Sequence, residues 1–232
     1  MLKKLYQYIT SPDNEKEKLL AFVDKIAKSN KTKILDVGCG YGRYLKPLQS
    51  KGYDIVGVDK NEAIVNENKK NGLNCISLEA LQEMNVSFDL IICAHIIEHF
   101  TPTELFSFLD YYLSKLNKGG YLIIATPLYT HYFYDDFDHV KPYHPEGLQM
   151  VFGGKDSQVQ YTSDQHMVLR DIWFRKSPMV SAFHRAKYFK SPMTRVLQLK
   201  DLLMSLLYRV SLGFIGKKDG WIGVFQKSEG YR

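Results

Sequence analysis

The feature that most constrains this chain is a short apolar run, Lys33-Ile34-Leu35-Asp36-Val37, that breaks directly onto three alternating glycines, Gly38, Gly40 and Gly42. Glycine has no Cβ and tolerates positive φ, so a turn of this kind lets main chain approach a ligand closely. Further apolar runs follow at 54–59, 74–78, 88–93 and 121–126, with helical stripes between them. Near-continuous apolar runs suit strands buried on both faces, and their alternation with helices predicts a parallel sheet with crossover connections. Two late runs, 159–174 and 220–226, complete seven strands, the last antiparallel. The expected fold class is α/β: one doubly wound sheet, mostly parallel, with helices on both faces, spanning residues 1–232 as a single domain.

Helix signals agree. Thr101-Pro102-Thr103-Glu104 is a capping box with proline at the first helical position. Its stripe, Leu105, Phe108, Leu109, Tyr112, Leu113 and Leu116, is expected to stop at Gly119-Gly120. Leu19, Leu20, Phe22, Val23 and Ile26 form a similar stripe ahead of the first strand, starting near Ser11-Pro12-Asp13, and residues 1–30 are read as a helical lid. After Thr126 comes an aromatic and histidine-rich loop, then a short helix over 145–152. Loops of that length are usually functional.

In a doubly wound sheet, ligands lie beyond the carboxyl ends of the strands where strand order reverses. The glycine turn borders that crevice. Its spacing is not that of a dinucleotide site, because Arg43 occupies the position of the third glycine. Asp59 ends the second strand, where a carboxylate can accept hydrogen bonds from both ribose hydroxyls. Glu79 follows the third, placed for an adenine amino group. Acids at these strand ends select an adenosine ligand.

At Asp36-Val37-Gly38-Cys39-Gly40-Tyr41-Gly42, Gly57-Val58-Asp59, the stretch 88–99 and Gly119-Gly120-Tyr121-Leu122-Ile123-Ile124, the chain resembles the class I S-adenosylmethionine-dependent methyltransferases. Within that superfamily it is similar to the small-molecule branch that includes ubiquinone-type O-methyltransferases. The resemblance covers roughly half the chain and implies a Rossmann-like fold. It implies that Asp36, Gly38, Cys39, Gly40 and Gly42 hold the methionine part of S-adenosylmethionine. Asp59 would hold the ribose, with Lys60 also counted among the cofactor-binding residues, and Glu79, Ala80 and Leu81 the adenine, while Cys93, Ala94 and His95 line the methyl-transfer face.

Transfer from a sulfonium needs an aligned nucleophile and removal of its proton, a task that suits histidine near neutral pH. His95 and His99 follow the fourth strand; His131, His139 and His144 lie in the loop after the fifth. His95-Ile96-Ile97-Glu98-His99 spells a zinc-peptidase pattern, but it follows a strand and precedes a helix cap, which rejects that reading. Ubiquinone-type relatives carry a similar E-x-x-E-H stretch associated with a divalent metal. His95 replaces the first acid here, and no metal ligand is assigned. Asp138-His139-Val140-Lys141-Pro142-Tyr143-His144 resembles a loop of methyltransferases that modify cell-surface glycans. His139 and His95 are the candidate bases, with Tyr132, Tyr134 and Tyr143 available to stack on a sugar or aromatic ring, and Tyr6 and Tyr8 candidates for the same lid.

The formal net charge of +6 is unevenly spread: from Arg175 to Lys218 ten Lys or Arg face one acid, Asp201. Within this basic insertion, Val196, Leu199, Leu203, Leu206, Leu207 and Val210 recur at helical spacing. It is too interrupted to span a membrane, which takes about twenty predominantly apolar residues. Contact with anionic lipid at a membrane's inner face, or packing on the protein's own core or a second copy, are its readings. Nothing resembles a known RNA module, so nucleic acid is set aside. Three scattered cysteines and no secretory pattern at the N-terminus point to a cytoplasmic protein with reduced thiols. The expected function is O-methylation of a sugar or lipid-linked glycan. The alternatives are a quinone precursor or other small phenol, or a non-catalytic S-adenosylmethionine-binding regulator. The sequence does not specify an oligomeric state.

Overall fold

The computed structural model describes residues 14–130, 132–154, 158–179 and 191–228. Tyr6, Tyr8 and His131, named above, lie outside them, as does the expected start of the first helix. In chain order the elements are α1 (Glu15–Ile26), β1 (Lys33–Val37), α2 (Leu45–Ser50), β2 (Asp54–Asp59), α3 (Glu62–Lys70), β3 (Cys75–Ser77), α4 (Leu78–Glu83) and β4 (Phe88–Ala94). They continue as α5 (Pro102–Ser114), β5 (Leu116–Pro127), α6 (Pro145–Phe152), β6 (His166–Ser177), α7 (Pro192–Val210) and β7 (Lys217–Ser228).

The seven strands form one sheet in the order β3-β2-β1-β4-β5-β7-β6. β1 pairs in parallel with both β2 and β4, and β2–β3 and β4–β5 are also parallel. The final strands run antiparallel, and the expected Rossmann-like class holds. Strand order reverses at β1, so the crevice opens beyond the carboxyl ends of β1 and β4.

The core explains why β1 reads as apolar: Ile34 and Leu35 are fully buried, with Leu90, Ile92 and Ile123 on the neighbouring strands. α1 closes one face through Leu19, Phe22 and Val23 and is therefore part of the core. Each such side chain contributes about 1.5–3 kcal/mol of burial. Trp221, Ile222 and Phe225 of β7 are likewise fully buried.

Several boundaries differ from expectation for identifiable reasons. β3 is shorter because the Ser77 hydroxyl accepts from the Ala80 N–H and caps α4, which turns Leu78 into helix. The capping box of α5 forms as expected, with the Thr101 N–H donating to Glu104 Oε2 at 2.8 Å. The helix ends at Ser114, however, and Leu116 opens β5 opposite Phe88. Its side chain is apolar for the sheet, not for the helix stripe. The expected strand from 159 starts at His166; before it, Ser163 ties back to Asp110 and accepts from the Gln165 N–H, a turn that interrupts extension.

The described residues divide into two compact units. The described residues within 15–173 and 221–228 carry most of the sheet and the crevice, and Asn14 with the described residues within 174–220 belongs to the second. Inside the second unit, Arg175 Nε donates to Asp219 Oδ1 at 2.9 Å and Tyr208 donates to the Lys176 carbonyl at 2.8 Å. Ser191 caps α7, accepting from the Thr194 N–H. Among the described residues no helix is long and apolar enough to cross a membrane.

Candidate functional site

The glycine turn takes the conformation that its composition requires: Gly38, Gly40 and Gly42 have φ of 59°, 50° and 79°. At Gly38 a Cβ would stand 2.5 Å from Ile96 Cδ1, the end of a side chain that would have to move. The turn and the end of β4 are therefore in close approach. Gly57, opposite Asp36 in the β1–β2 register, has no room for a Cβ either, with Leu45 Cδ2 at 2.7 Å and Cys39 Sγ at 2.8 Å.

Asp59 organises the crevice from the β2 side. Its Oδ2 accepts from the Gly40 N–H at 3.0 Å and its Oδ1 from the Asn61 N–H at 2.9 Å. Asn68, which sequence reasoning missed, donates to the Gly40 carbonyl at 2.7 Å from α3 and is buried. An internal polar residue on a helix gives no signal of its own; a lone buried asparagine is visible once its partner is known. Asp36 is buried at the carboxyl end of β1 and accepts from the Leu45 N–H at 3.1 Å, at the start of α2. Burial, with Asp59 nearby, pushes its carboxyl up to about 7, against the pull of that N–H.

Not every expected cofactor residue offers its side chain. The Cys39 thiol points into the core, 3.5 Å from Cys75 Sγ, and its main chain is used within the fold: its N–H donates to the Val58 carbonyl at 3.1 Å and its carbonyl accepts from the Gly42 N–H at 2.9 Å. Cys93 is fully buried, and burial with Asp36 nearby pushes its thiol up. Leu81 is fully buried and the Ala80 N–H is spent on Ser77, whereas Glu79 is exposed in the first turn of α4 and Lys60 is exposed after β2. Ala94 lies half-buried at the end of β4.

His95 follows Ala94 with φ of 57°, a conformation that non-glycine residues rarely adopt. Its ring is held between two fully buried carboxylates: Nε2 lies 2.6 Å from Glu15 Oε1 and Nδ1 lies 3.4 Å from Glu98 Oε1. Desolvation opposes charge on this ring, but the two carboxylates outweigh it and push His95 up to about 9. The ring keeps its proton at neutral pH and both nitrogens face acids. This geometry does not support His95 as a base. Glu15, on α1, was not anticipated; it also meets Arg43 at 3.7 Å and the Tyr44 hydroxyl at 3.4 Å.

His139 keeps the requirements of a base. Its Nδ1 lies 2.8 Å from the Phe133 carbonyl, so the neutral ring donates there and leaves Nε2 with its lone pair. Asp136 Oδ2 stands 3.8 Å from that Nε2. The loop that carries His139 is fixed to the end of β4: the Val140 N–H donates to the Glu98 carbonyl at 2.8 Å, and Tyr143 donates to the Phe100 carbonyl at 2.9 Å. Tyr143 is buried and so unavailable for stacking, whereas Tyr134 and the unanticipated Tyr129 and Phe137 are exposed. His99 packs edge-on to His139 with ring centroids 5.0 Å apart, and its Nδ1 meets the Asp138 carbonyl at 3.0 Å. Glu98, His99 and His139 bring one potential ligand atom each to within 4.8 Å of the others, and Glu98 Oε1 has no hydrogen-bond partner among the described residues. These three could hold a cation. The imidazolium of His95 already faces that same carboxylate oxygen.

A reversed strand order, a main-chain cradle and acids on adjacent strand ends define an α/β protein that binds a nucleoside-bearing ligand. A family model described as the methyltransferase domain matches residues 12–192, and the chain belongs to that family. Among curated proteins, it is 28% identical over 102 residues to a ubiquinone biosynthesis O-methyltransferase of Sinorhizobium fredii, covering 40% of each chain. It is 28% identical over 117 residues to that of Rickettsia canadensis, covering 47% of this chain and 48% of the other. The matches thus span less than half the length of these relatives. A solved SAM-dependent methyltransferase from Archaeoglobus fulgidus aligns over 97% of this chain and 99% of its own, with a TM-score of 0.60 and 22% identity. Magnesium protoporphyrin IX methyltransferase from Synechocystis PCC 6803, solved with bound SAH, aligns over 92% and 82% with a TM-score of 0.55 and 13% identity. Both likenesses concern the fold.

Proposed function

We propose that this protein transfers the methyl group of S-adenosylmethionine to a hydroxyl oxygen. The observation that carries the cofactor assignment is the joint between Gly40 and Asp59, which fixes the glycine turn to the carboxylate that ends β2. Each oxygen of that carboxylate accepts one main-chain N–H, from Gly40 and from Asn61, which fixes its orientation and leaves a further lone pair on each oxygen. A ribose diol fits such an acceptor, and the methionine amine fits beside Asp36, whose ionisation it would favour. S-adenosylmethionine brings the electrophilic methyl; the chain's own residues bind, orient and accept the proton.

His139 is the residue that fits proton removal, because a carbonyl holds its Nδ1–H and leaves the lone pair on Nε2, 3.8 Å from Asp136 Oδ2. The exposed rings of Tyr129, Tyr134 and Phe137 suit the apolar face of a sugar, which supports the glycan acceptor; the same rings suit a phenol. The second reading, a quinone precursor or related phenol, is favoured by the curated relatives, whose names assign them to ubiquinone biosynthesis. Incubation with radiolabelled cofactor and separated glycan, lipid-linked glycan and phenolic acceptors tests both. Label in the glycan fractions supports the first, label in phenols supports the second, and label in RNA only contradicts the proposal.

A further inference from the structure

Helix α7 is built inside out. At 3.6 residues per turn, Val196, Leu199, Leu203, Leu206, Leu207 and Val210 fall within an arc of about 120°, and all six are exposed, Val196 at 62% and Val210 at 82%. The opposite face is polar and buried: Thr194, Asp201, Ser205 and Tyr208. A helix stabilised by its own unit's core would show the reverse. The apolar surface continues past the helix at Phe214, which is 87% exposed. Apolar side chains exposed singly need no explanation, whereas a contiguous stripe rimmed by charge marks an interaction site.

The rim says what kind. Lys200 and Arg195 fall on the two edges of the stripe, and both are exposed. Residues 174–220 contain ten Lys or Arg and two acids, Asp201 and Asp219. Asp201 is buried and Asp219 is paired with Arg175 at 2.9 Å, so neither acid offsets the basic rim. A second copy docked through a two-fold axis would set this rim against itself, an arrangement that like charge opposes. A surface that is apolar at depth and anionic at the rim fits both features. The helix is not long and apolar enough to cross the bilayer.

We propose that the exposed face of α7 is an in-plane docking surface for an anionic lipid bilayer, with the leucine stripe set into the headgroup boundary and Arg195 and Lys200 contacting lipid phosphates. The role is independent of which acceptor is methylated.

The test is flotation of the full chain with vesicles of phosphatidylcholine and with vesicles of equal parts phosphatidylcholine and phosphatidylglycerol. Expected is flotation with the anionic vesicles at low salt, at least tenfold less with the neutral ones, and release at molar salt, where the Debye length falls to about 3 Å. Leu203→Glu with Leu207→Glu should reduce flotation at least tenfold while leaving the far-ultraviolet circular dichroism unchanged. Arg195→Glu with Lys200→Glu, which spares the stripe, should also reduce it and keeps the proposal testable if the leucine variant fails to fold. Absence of flotation on anionic vesicles would overturn the proposal, as would undiminished flotation by folded variants. A dimer in sedimentation equilibrium that the leucine variant lacks, without flotation, would assign the face to a second copy instead. Retention of RNA without flotation would assign the rim to nucleic acid.

Discussion

Asp36 sits where a carboxylate is hardest to keep charged: buried, in register with Gly57 and Ile92, and near Asp59. Its folded carboxyl lies at about 7 against an ordinary 3.8, so between those values the unfolded chain has already lost the proton that the folded chain retains. Stability of the ligand-free protein should therefore fall as pH rises from about 4 to about 7 through this group. Asp36→Asn should flatten that part of a pH series of denaturant midpoints; an unchanged slope would show that Asp36 ionises normally. His139→Ala should lower kcat by about 10²–10⁴-fold while cofactor binding is retained; a fall in KM-linked binding with kcat unchanged would remove it as the base. The placement of the glycine turn, Asp36 and Asp59 at the crevice was legible because each adjoins a strand end visible in the sequence. The environment of His95 was not legible, because it is set by Glu15, 80 residues away, and by Glu98. No local pattern carries that pairing.

Elements were legible where their own caps and stripes decide them. α5 is an example: Thr101 and Glu104 satisfy each other's main chain and fix its start. Thr101→Ala should cost about 1 kcal/mol, seen as a lower Tm, and no shift would mean that the cap is redundant with packing. Its end was illegible, since Leu116 suits a helix stripe and a strand pair equally, and pairing with Phe88 in β4 decides between them. Likewise α1 reads as a lid from its position but is drawn into the core by Leu19, Phe22 and Val23, which places Glu15 against His95. Glu15→Gln leaves the ring one carboxylate short. Allowing for the partial exposure of His95, the loss should be about 1–3 kcal/mol, and a double-mutant cycle with His95→Gln should show coupling between the two. Additive single effects would deny the pair.

At the scale of the whole molecule, the sheet order was predictable in kind, because alternating runs leave few topologies once crossovers are right-handed. The inside-out character of α7 was not, since periodicity shows that a helix has an apolar face but not which side the protein covers. The same limit applies to the cluster of Glu98, His99 and His139, assembled from β4's end and a loop forty residues later. With the His95 imidazolium already facing Glu98, methyl transfer should persist in the presence of a chelator. Activity lost to chelation and restored by a divalent ion would assign the cluster as a metal site. The crevice itself is tested most directly by calorimetry with S-adenosylhomocysteine on the wild-type chain and Asp59→Ala. A weakening of at least tenfold, about 1.4 kcal/mol, is the expected result. Equal, tight binding by both proteins would contradict the account.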